Sequence, residues 1–211
     1  MHYLAAAGLV VGAYVLGSIP VGLVVAKGVK GIDIREAGSG NIGATNVGRV
    51  LGRKWGVLVW LLDGLKGFIP AFIAGTLAGH VWSHYDLLML PVLCAFAAIC
   101  GHNFSIFLRF RGGKGVSTTF GAFAYLFPVG LLIAAAVWVL TVLATRYVSV
   151  GSMLAGAALT ASALLLPPHP FGNSLCLTVV CLVVAALIIV RHISNIRRLL
   201  NGTENKIHPR V

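Results

Sequence analysis

Long apolar runs separated by short polar stretches organise this chain. Seven apolar segments can be read, at roughly 3–26, 55–79, 86–101, 114–127, 129–145, 150–167 and 173–190. A helix needs about 20 apolar residues to cross a bilayer, and most of these runs approach that length. The fourth is short, which predicts a half-helix shielded by its neighbours, where irregular backbone is tolerated at membrane depth. The pattern therefore predicts an all-α integral membrane bundle of about seven transmembrane helices, one polytopic domain over residues 1–211. Gly8-x-x-x-Gly12 and Gly75-x-x-x-Gly79 have the small-residue spacing that suits close helix packing. No internal repeat, linker or low-complexity segment interrupts the pattern.

Charge orients the bundle. Fifteen of the sixteen Lys and Arg residues fall after the odd-numbered spans: Lys27 to Lys54, Arg109 to Lys114, Arg146, and Arg191 to Arg210. The alternate connections, His80–Tyr85, Phe127–Pro128 and Pro167–Gly172, carry none. The positive-inside rule makes the basic side cytoplasmic, with the N-terminus outside and the C-terminus cytoplasmic. Leu4 to Val25 has no basic residue before it, and Lys27 and Lys30 follow it. That is the reverse of a signal peptide's charge order, so it is expected to be a permanent span. The sixteenth cation, Lys66, lies deep in the second span one helical turn after Asp63. Such a charge costs about 2.5–3.5 kcal/mol even on the lenient insertion scale, so it needs a partner or a task. Both an internal ion pair and direct substrate contact fit.

Composition narrows the function classes. Of the chain, 58% is apolar and 10% charged, with a net charge of +11. A basic protein of this balance invites a nucleic-acid reading. The cations, however, sit in short stretches between apolar runs, with no basic helix or aromatic-interleaved patch. Anionic lipid or an anionic small molecule is the better match. The four cysteines, Cys94, Cys100, Cys176 and Cys181, all lie in apolar segments without C-x-x-C or zinc-ligand spacing, and read as core- or lipid-facing thiols. Asp33, Glu36, Asp63, Asp86 and Glu204 are scattered, so no metal is expected, nor any cofactor.

Three polar stretches carry candidate chemistry. The first, Gly38-Ser39-Gly40-Asn41-Ile42-Gly43-Ala44-Thr45-Asn46-Val47-Gly48-Arg49, combines glycines that free backbone amides for an anion nest. Neutral donors and the planar fork of Arg49 suit phosphate. The second runs from Gly101-His102-Asn103-Phe104-Ser105 to Phe110-Arg111-Gly112-Gly113-Lys114-Gly115-Val116-Ser117-Thr118. A Gly-Gly-Lys-Gly loop opening a helix brings amides, a positive helix end and an ammonium together. It is not a nucleotide P-loop, because Gly115 follows Lys114 and Leu108 stands five residues before Gly113. The third, Arg191 to Lys206, places His192, Asn195 and Arg198 on one helical face. A basic tail gripping anionic lipid is the alternative for it. All three lie on the basic side, so a bundle can gather them into one polar cup suited to a phosphorylated anion.

Together these residues resemble the acyl-phosphate-dependent glycerol-3-phosphate acyltransferases, the PlsY type. Ser39 to Arg49 matches S-G-N-x-G-A-T-N-x-x-R, and Gly101 to Gly115 matches G-H-x-F…F-x-G-G-K-G. His192 to Lys206 matches H-x-x-N-I-x-R-x-x-x-G-x-E-x-K, with Ile193-Ser194 departing from the dipeptide common there. Gly17-Ser18-Ile19-Pro20 and Asp63-Gly64-Leu65-Lys66-Gly67 look like the family too. The resemblance implies transfer of a fatty acyl chain to the 1-hydroxyl of sn-glycerol 3-phosphate, giving lysophosphatidic acid and phosphate in the bacterial cytoplasmic membrane. The H-x-x-x-x-D pair of other glycerophosphate acyltransferases is missing, since Phe107 stands five residues after His102.

On this basis Ser39, Arg49, Lys114, His192 and Asn195 are the expected catalytic residues, holding and orienting phosphate. Asn41, Gly43, Thr45, Asn46, His102, Gly112, Gly113, Gly115 and Ser117 are the expected substrate-binding set. Asp63, Lys66 and Glu204 are expected to be structural. A substrate phosphate oxygen takes the hydroxyl proton, with His192 as the second choice. The partners are the two small-molecule substrates and the bilayer, without nucleic acid, and a monomer is the working expectation. A small transporter of phosphate esters is the rival, but it needs a polar route to the outside, where the connections carry no cation.

Overall fold

The computed structural model of the chain describes residues 2–80, 89–166 and 174–207. The regular elements among them are all helices. They gather into two compact units, Met1–Leu126 and Phe127–Val211, where the sequence pattern marks no domain boundary. The connections at 81–88 and 167–173, the tail from 208, and with them Asp86 and Arg210, lie outside the described residues.

In the first unit, α1 (His2–Ser18) and α2 (Val21–Lys30) come from what reads as one uninterrupted apolar run. Pro20 divides them, because it has no N–H for the helical ladder and its ring crowds the preceding turn. A 3₁₀ turn (Ile34–Glu36) leads to α3 (Ala44–Leu51), α4 (Arg53–His80), α5 (Leu90–Asn103) and α6 (Val116–Leu126). α6 has 11 residues, so it extends about 16 Å. That is about half the hydrocarbon thickness, and α6 lies packed on α4 and α5.

Small residues let these helices touch. A Cβ at Gly17 of α1 would lie 2.2 Å from the Ala98 carbonyl oxygen, and one at Gly101 of α5 2.2 Å from that of Tyr14. Gly67 and Gly121 do the same between α4 and α6, where an added Cβ would lie 2.1 and 1.8 Å from the Thr118 and Gly64 carbonyls. Gly8 and Gly12, spaced for such packing in the sequence, face no described atom within 4 Å. Gly75 packs on the Tyr125 ring of α6, and the surroundings of Gly79 lie outside what is described. Beneath the first polar stretch, Leu23, Ala26, Ile34, Ile42, Val47, Val59 and Leu108 form a buried cluster that joins α2, α3 and α4 to the loops. Burying each of its Leu, Ile and Val side chains is worth about 1.5–3 kcal/mol, enough to seat a glycine-rich loop.

The second unit holds α7 (Pro128–Thr145), α8 (Val148–Leu165), α9 (Ser174–Arg191) and α10 (Ile193–Leu200). α7 keeps Leu132, Leu140 and Leu143 about 70% exposed, as a lipid-facing surface does. Among the described residues, five stretches are long and apolar enough to cross a membrane: His2–Lys30, Arg53–Ala78, Leu90–Leu108, Pro128–Thr145 and Val148–Leu165. The α9–α10 pair, bent by 54°, makes a sixth if it counts as one span. α6 is the segment that separates this count from the seven apolar runs, through its length.

Candidate functional site

The first polar stretch is shaped by its asparagines. Gly38 and Gly40 take left-handed backbone, φ 61° and 71°, and fold the chain around the Asn46 side chain, which is 2% exposed. Asn46 Oδ1 accepts from the Ser39 N–H at 2.8 Å. Its Nδ2 donates to the carbonyls of Asn41, Ala37 and Ile34 at 2.8, 3.0 and 3.3 Å. Asn41 Oδ1 accepts from the Gly43 N–H at 2.8 Å. Both side chains thus bond to the loop itself, and Asn46 acts as its internal template where the sequence suggests a ligand contact. Thr45 and Arg49 are exposed on α3, and Ser39 is half-buried. Thr45 and Arg49 stand four apart and share a helix face. Just upstream, Arg35 forks onto Asp33, with Nε at 2.9 Å and Nη2 at 2.5 Å. Those hydrogen bonds hold the Asp33 carboxyl down at about 2.

The second stretch leaves α5 at Asn103 and doubles back through Arg109 and Phe110, consecutive non-glycine residues at φ 52° and 62°. Each left-handed residue costs roughly 1–2 kcal/mol, so surrounding contacts must hold the reversal. The Gly113 N–H donates to the His102 carbonyl at 2.9 Å, the Gly112 N–H to that of Asn103 at 3.2 Å, and the Phe110 N–H to that of Ser105 at 2.8 Å. The amides of Gly112 and Gly113 therefore clip the loop to α5, and are not the open anion nest that the sequence suggests. The glycines are needed for space. A Cβ at Gly113 would sit 2.1 Å from His102 Nε2, and one at Gly115, φ 76°, would sit 2.7 Å from Asn103 Oδ1. The first turn of α6 follows, where amides lack intrahelical acceptors and the dipole favours anions. Lys114 and Ser117 stand half-buried beside it.

Asp63, Lys66 and His102 meet underneath. Lys66 Nζ is 2.9 Å from Asp63 Oδ1 and donates to the Ile19 carbonyl at 2.8 Å. His102 Nδ1 is 3.6 Å from Asp63 Oδ1, and all three side chains are buried. Lys66 is thus ion-paired with Asp63.

A cleft of about 710 Å³ in this unit is lined by Arg35, Glu36, Phe107, Leu108, Arg109 and Arg111. These residues lead directly into the two glycine-rich stretches, so both open beside one cationic mouth. Sequence reasoning assigns none of the three arginines a role, although Arg111 lies inside the second polar stretch; Arg35 and Arg109 each stand three residues before a glycine, Gly38 and Gly112. It also passes over Asn103 and Thr118, fully buried residues whose side-chain polar atoms have no hydrogen-bond partner among the described residues.

The third stretch is organised within the second unit. The Ile188 carbonyl accepts from His192 Nδ1 at 2.7 Å, which leaves Nε2 as the ring's acceptor, and His192 stands at the bend into α10. Glu204 accepts from Asn195 Nδ2 at 2.6 Å, Arg198 Nε at 2.7 Å and Ser149 Oγ at 2.9 Å. Burial pushes the Glu204 carboxyl up, but these bonds outweigh it and hold it below the usual carboxylate range. The spacing that puts Asn195 and Arg198 on one face thus serves to grip Glu204. The tail is tied further by the Ile207 N–H, which donates to the Arg146 carbonyl at 2.9 Å, and by Lys206 over the Tyr147 ring.

Among the described residues, no three His, Cys, Asp or Glu side chains cluster as a metal site.

Lipid-facing apolar helices, with charged residues at loops and helix ends apart from the buried Asp63–Lys66 pair, define an all-helical integral membrane protein. A sequence model of the glycerol-3-phosphate acyltransferases matches residues 7–202, and the chain belongs to that family. It is 45% identical over 197 residues to a glycerol-3-phosphate acyltransferase of Trichlorobacter lovleyi, covering 93% of this chain and 95% of the relative. It is 43% identical to glycerol-3-phosphate acyltransferase 2 of Bacillus anthracis, covering 92% and 95%. Among solved structures it is similar to PlsY, an integral membrane glycerol 3-phosphate acyltransferase, in its glycerol 3-phosphate form. The TM-score is 0.83 and the identity 41%, over 97% of this chain and 96% of that one. The lysophosphatidic acid form of PlsY gives a TM-score of 0.81.

Proposed function

We propose that this chain transfers a fatty acyl group from an acyl-phosphate to the 1-hydroxyl of sn-glycerol 3-phosphate. The hydroxyl oxygen attacks the acyl carbon, the carbon–oxygen bond to phosphate breaks, and phosphate leaves with the electron pair. The hydroxyl proton passes to a phosphate oxygen. The products are lysophosphatidic acid and phosphate.

The observation that carries this reading is the cleft where the approaches to both glycine-rich stretches meet, lined by three arginines against one Glu36. Such a cleft fits dianionic phosphate groups. Arg49 supplies a bidentate fork, Lys114 and the first turn of α6 supply a cation and amides, and Ser39, Thr45 and Ser117 add neutral donors. An acyl phosphate is a mixed anhydride with a good leaving group. Holding hydroxyl and carbonyl at attack distance can supply roughly 7–11 kcal/mol, so a strong protein base is not required.

The seven apolar runs cross the bilayer with α1 and α2 as one interrupted span and α6 as the short one. The excess of Lys and Arg in alternate connections places the N-terminus outside and the site on the cytoplasmic side of the inner membrane. The test is lysophosphatidate formation by purified protein given acyl-phosphate and glycerol 3-phosphate. Absence of product from well-folded protein rules out the assignment.

A further inference from the structure

The interruption of the first span does more than bend it. The break at Pro20 takes the carbonyls of Ser18 and Ile19 out of the helical ladder, and that of Ile19 accepts from the Val21 N–H at 3.0 Å. Each also receives a side-chain donor from far along the chain. Ser105 Oγ donates to the Ser18 carbonyl at 2.5 Å, and Lys66 Nζ donates to the Ile19 carbonyl at 2.8 Å. Lys66 is bound in turn to Asp63 at 2.9 Å, and Asp63 faces His102 Nδ1 at 3.6 Å. The other side of that imidazole is covered by the loop backbone. The Gly113 N–H bonds to the His102 carbonyl, and a Cβ on Gly113 would fall 2.1 Å from His102 Nε2. A continuous chain of buried contacts therefore runs from the helix break to the residue next to Lys114. Neither Asp63, Lys66 and His102 nor Lys114 line the cationic cleft; burial separates them, since the first three are buried and Lys114 is half-buried.

Stability alone is a weak reason for such a chain. A buried ion pair replaced by well-packed apolar residues is often neutral or stabilising, and a membrane interior sharpens the penalty. A geometric task is the stronger reason. The Gly-Gly-Lys-Gly loop has few side chains to hold it in place, and its amides at Gly112 and Gly113 bond to carbonyls at the end of α5. The end of α5, packed on α1 at Gly101, is also tied by His102 through Asp63 and Lys66, and by Ser105 just beyond it.

We propose that Asp63, Lys66 and His102 are positioning residues that fix Lys114 against the Ser18–Ile19 break, and that His102 does not touch substrate. This rests on the reading above, in which Lys114 holds a substrate phosphate. A misplacement of about 1 Å in such a group can cost on the order of 100-fold in rate, so a side chain remote from substrate can matter as much as a ligand.

The experiment uses the full chain in detergent. kcat and the KM of each substrate are measured for wild type, His102→Gln, Lys114→Ala and the double variant, with folded yield followed by gel filtration. Whichever KM Lys114→Ala raises, His102→Gln should raise the same one by roughly 10- to 100-fold, with the other KM and the folded yield unchanged. In the Lys114→Ala background, His102→Gln should cost less than about threefold, because residues acting as a unit are non-additive. The charge-free pair Asp63→Asn/Lys66→Met should fold and repeat the His102→Gln phenotype. Should Lys114→Ala be too slow to measure, Gly113→Ala takes its place, its methyl group displacing the His102 ring, and the same non-additivity is required. Independent, multiplicative losses overturn the proposal. So does a charge-free pair with wild-type KM values, or a His102→Gln effect confined to folded yield. A folded wild type without turnover removes the acyltransferase reading itself, whereas an active wild type with additive losses removes only the positioning chain.

Discussion

Arg49 and Asn46 lie within one turn of each other on α3 and do opposite work. Asn46 is buried and donates or accepts four hydrogen bonds inside its own loop, so its chemistry is structural. Arg49 is exposed at the end of the same short helix, free in direction to meet an anion. Arg49→Lys keeps the charge and loses the planar fork. Removing one charge-assisted hydrogen bond is worth about 1.5–3 kcal/mol, so catalytic efficiency should fall by roughly 10- to 150-fold, with normal expression and folding. Steady-state kinetics on the purified variant decide it, and wild-type turnover would show that the first loop does not hold phosphate through a bidentate arginine.

At the scale of elements, the end of α10 and the following tail are held by one carboxylate. Glu204 gathers Ser149 from α8 with Asn195 and Arg198 from α10, a longer reach than its neighbours' spacing suggests. Its folded pKa lies below its ordinary value of 4.5. A depressed carboxylate contributes stability that is present above the unfolded pKa and is lost as pH falls through the folded one. Acidification from about pH 5 downward should therefore loosen the tail. Thermal unfolding of wild type between pH 7 and 3 should contain a component that Glu204→Gln lacks, with the variant already less stable at pH 7. Parallel pH profiles for the two proteins would deny Glu204 this role.

For the whole molecule, two outcomes test orientation and donor. The asymmetry of Lys and Arg predicts that single cysteines placed near Ser83 or Phe171 react with an impermeant thiol reagent added outside. Cysteines near Gly43 or Asn201 should react only after permeabilisation, and reversal at either pair overturns the topology. The donor prediction follows from the cationic cleft. The phosphate leaving an acyl phosphate belongs to the group of anions that the cleft suits, so inorganic phosphate should raise the apparent KM of the donor. Acyl-CoA should be a poor donor, because a thiolate leaving group cannot use phosphate contacts. Chelator-treated enzyme assayed with each donor, with and without phosphate, checks both. Efficient turnover of acyl-CoA, or strict dependence on magnesium, contradicts this chemistry.

What the sequence alone determines here is compositional and local. Apolar runs must leave water, so the long helices form where those runs lie, and the 11-residue α6 is short because its run is short. Motif residues reveal a family because their types and spacing are written along the chain. Asp63 and Lys66, one turn apart, can be paired on paper for the same reason. Partner choice across the fold is different. Whether the amides of Gly112 and Gly113 face a ligand or the carbonyls of α5, and whether Asn46 grips substrate or its own loop, depends on which backbone arrives opposite. So does the choice of Gly17 and Gly101 over Gly8 and Gly12 as the point of helix contact. Even the break at Pro20, whose cause is local, gains its use only when Lys66 and Ser105 reach its carbonyls from 47 and 87 residues away. Hydrogen-bond donors and close-packing surfaces are satisfied by position in space, and only the tertiary structure supplies that position.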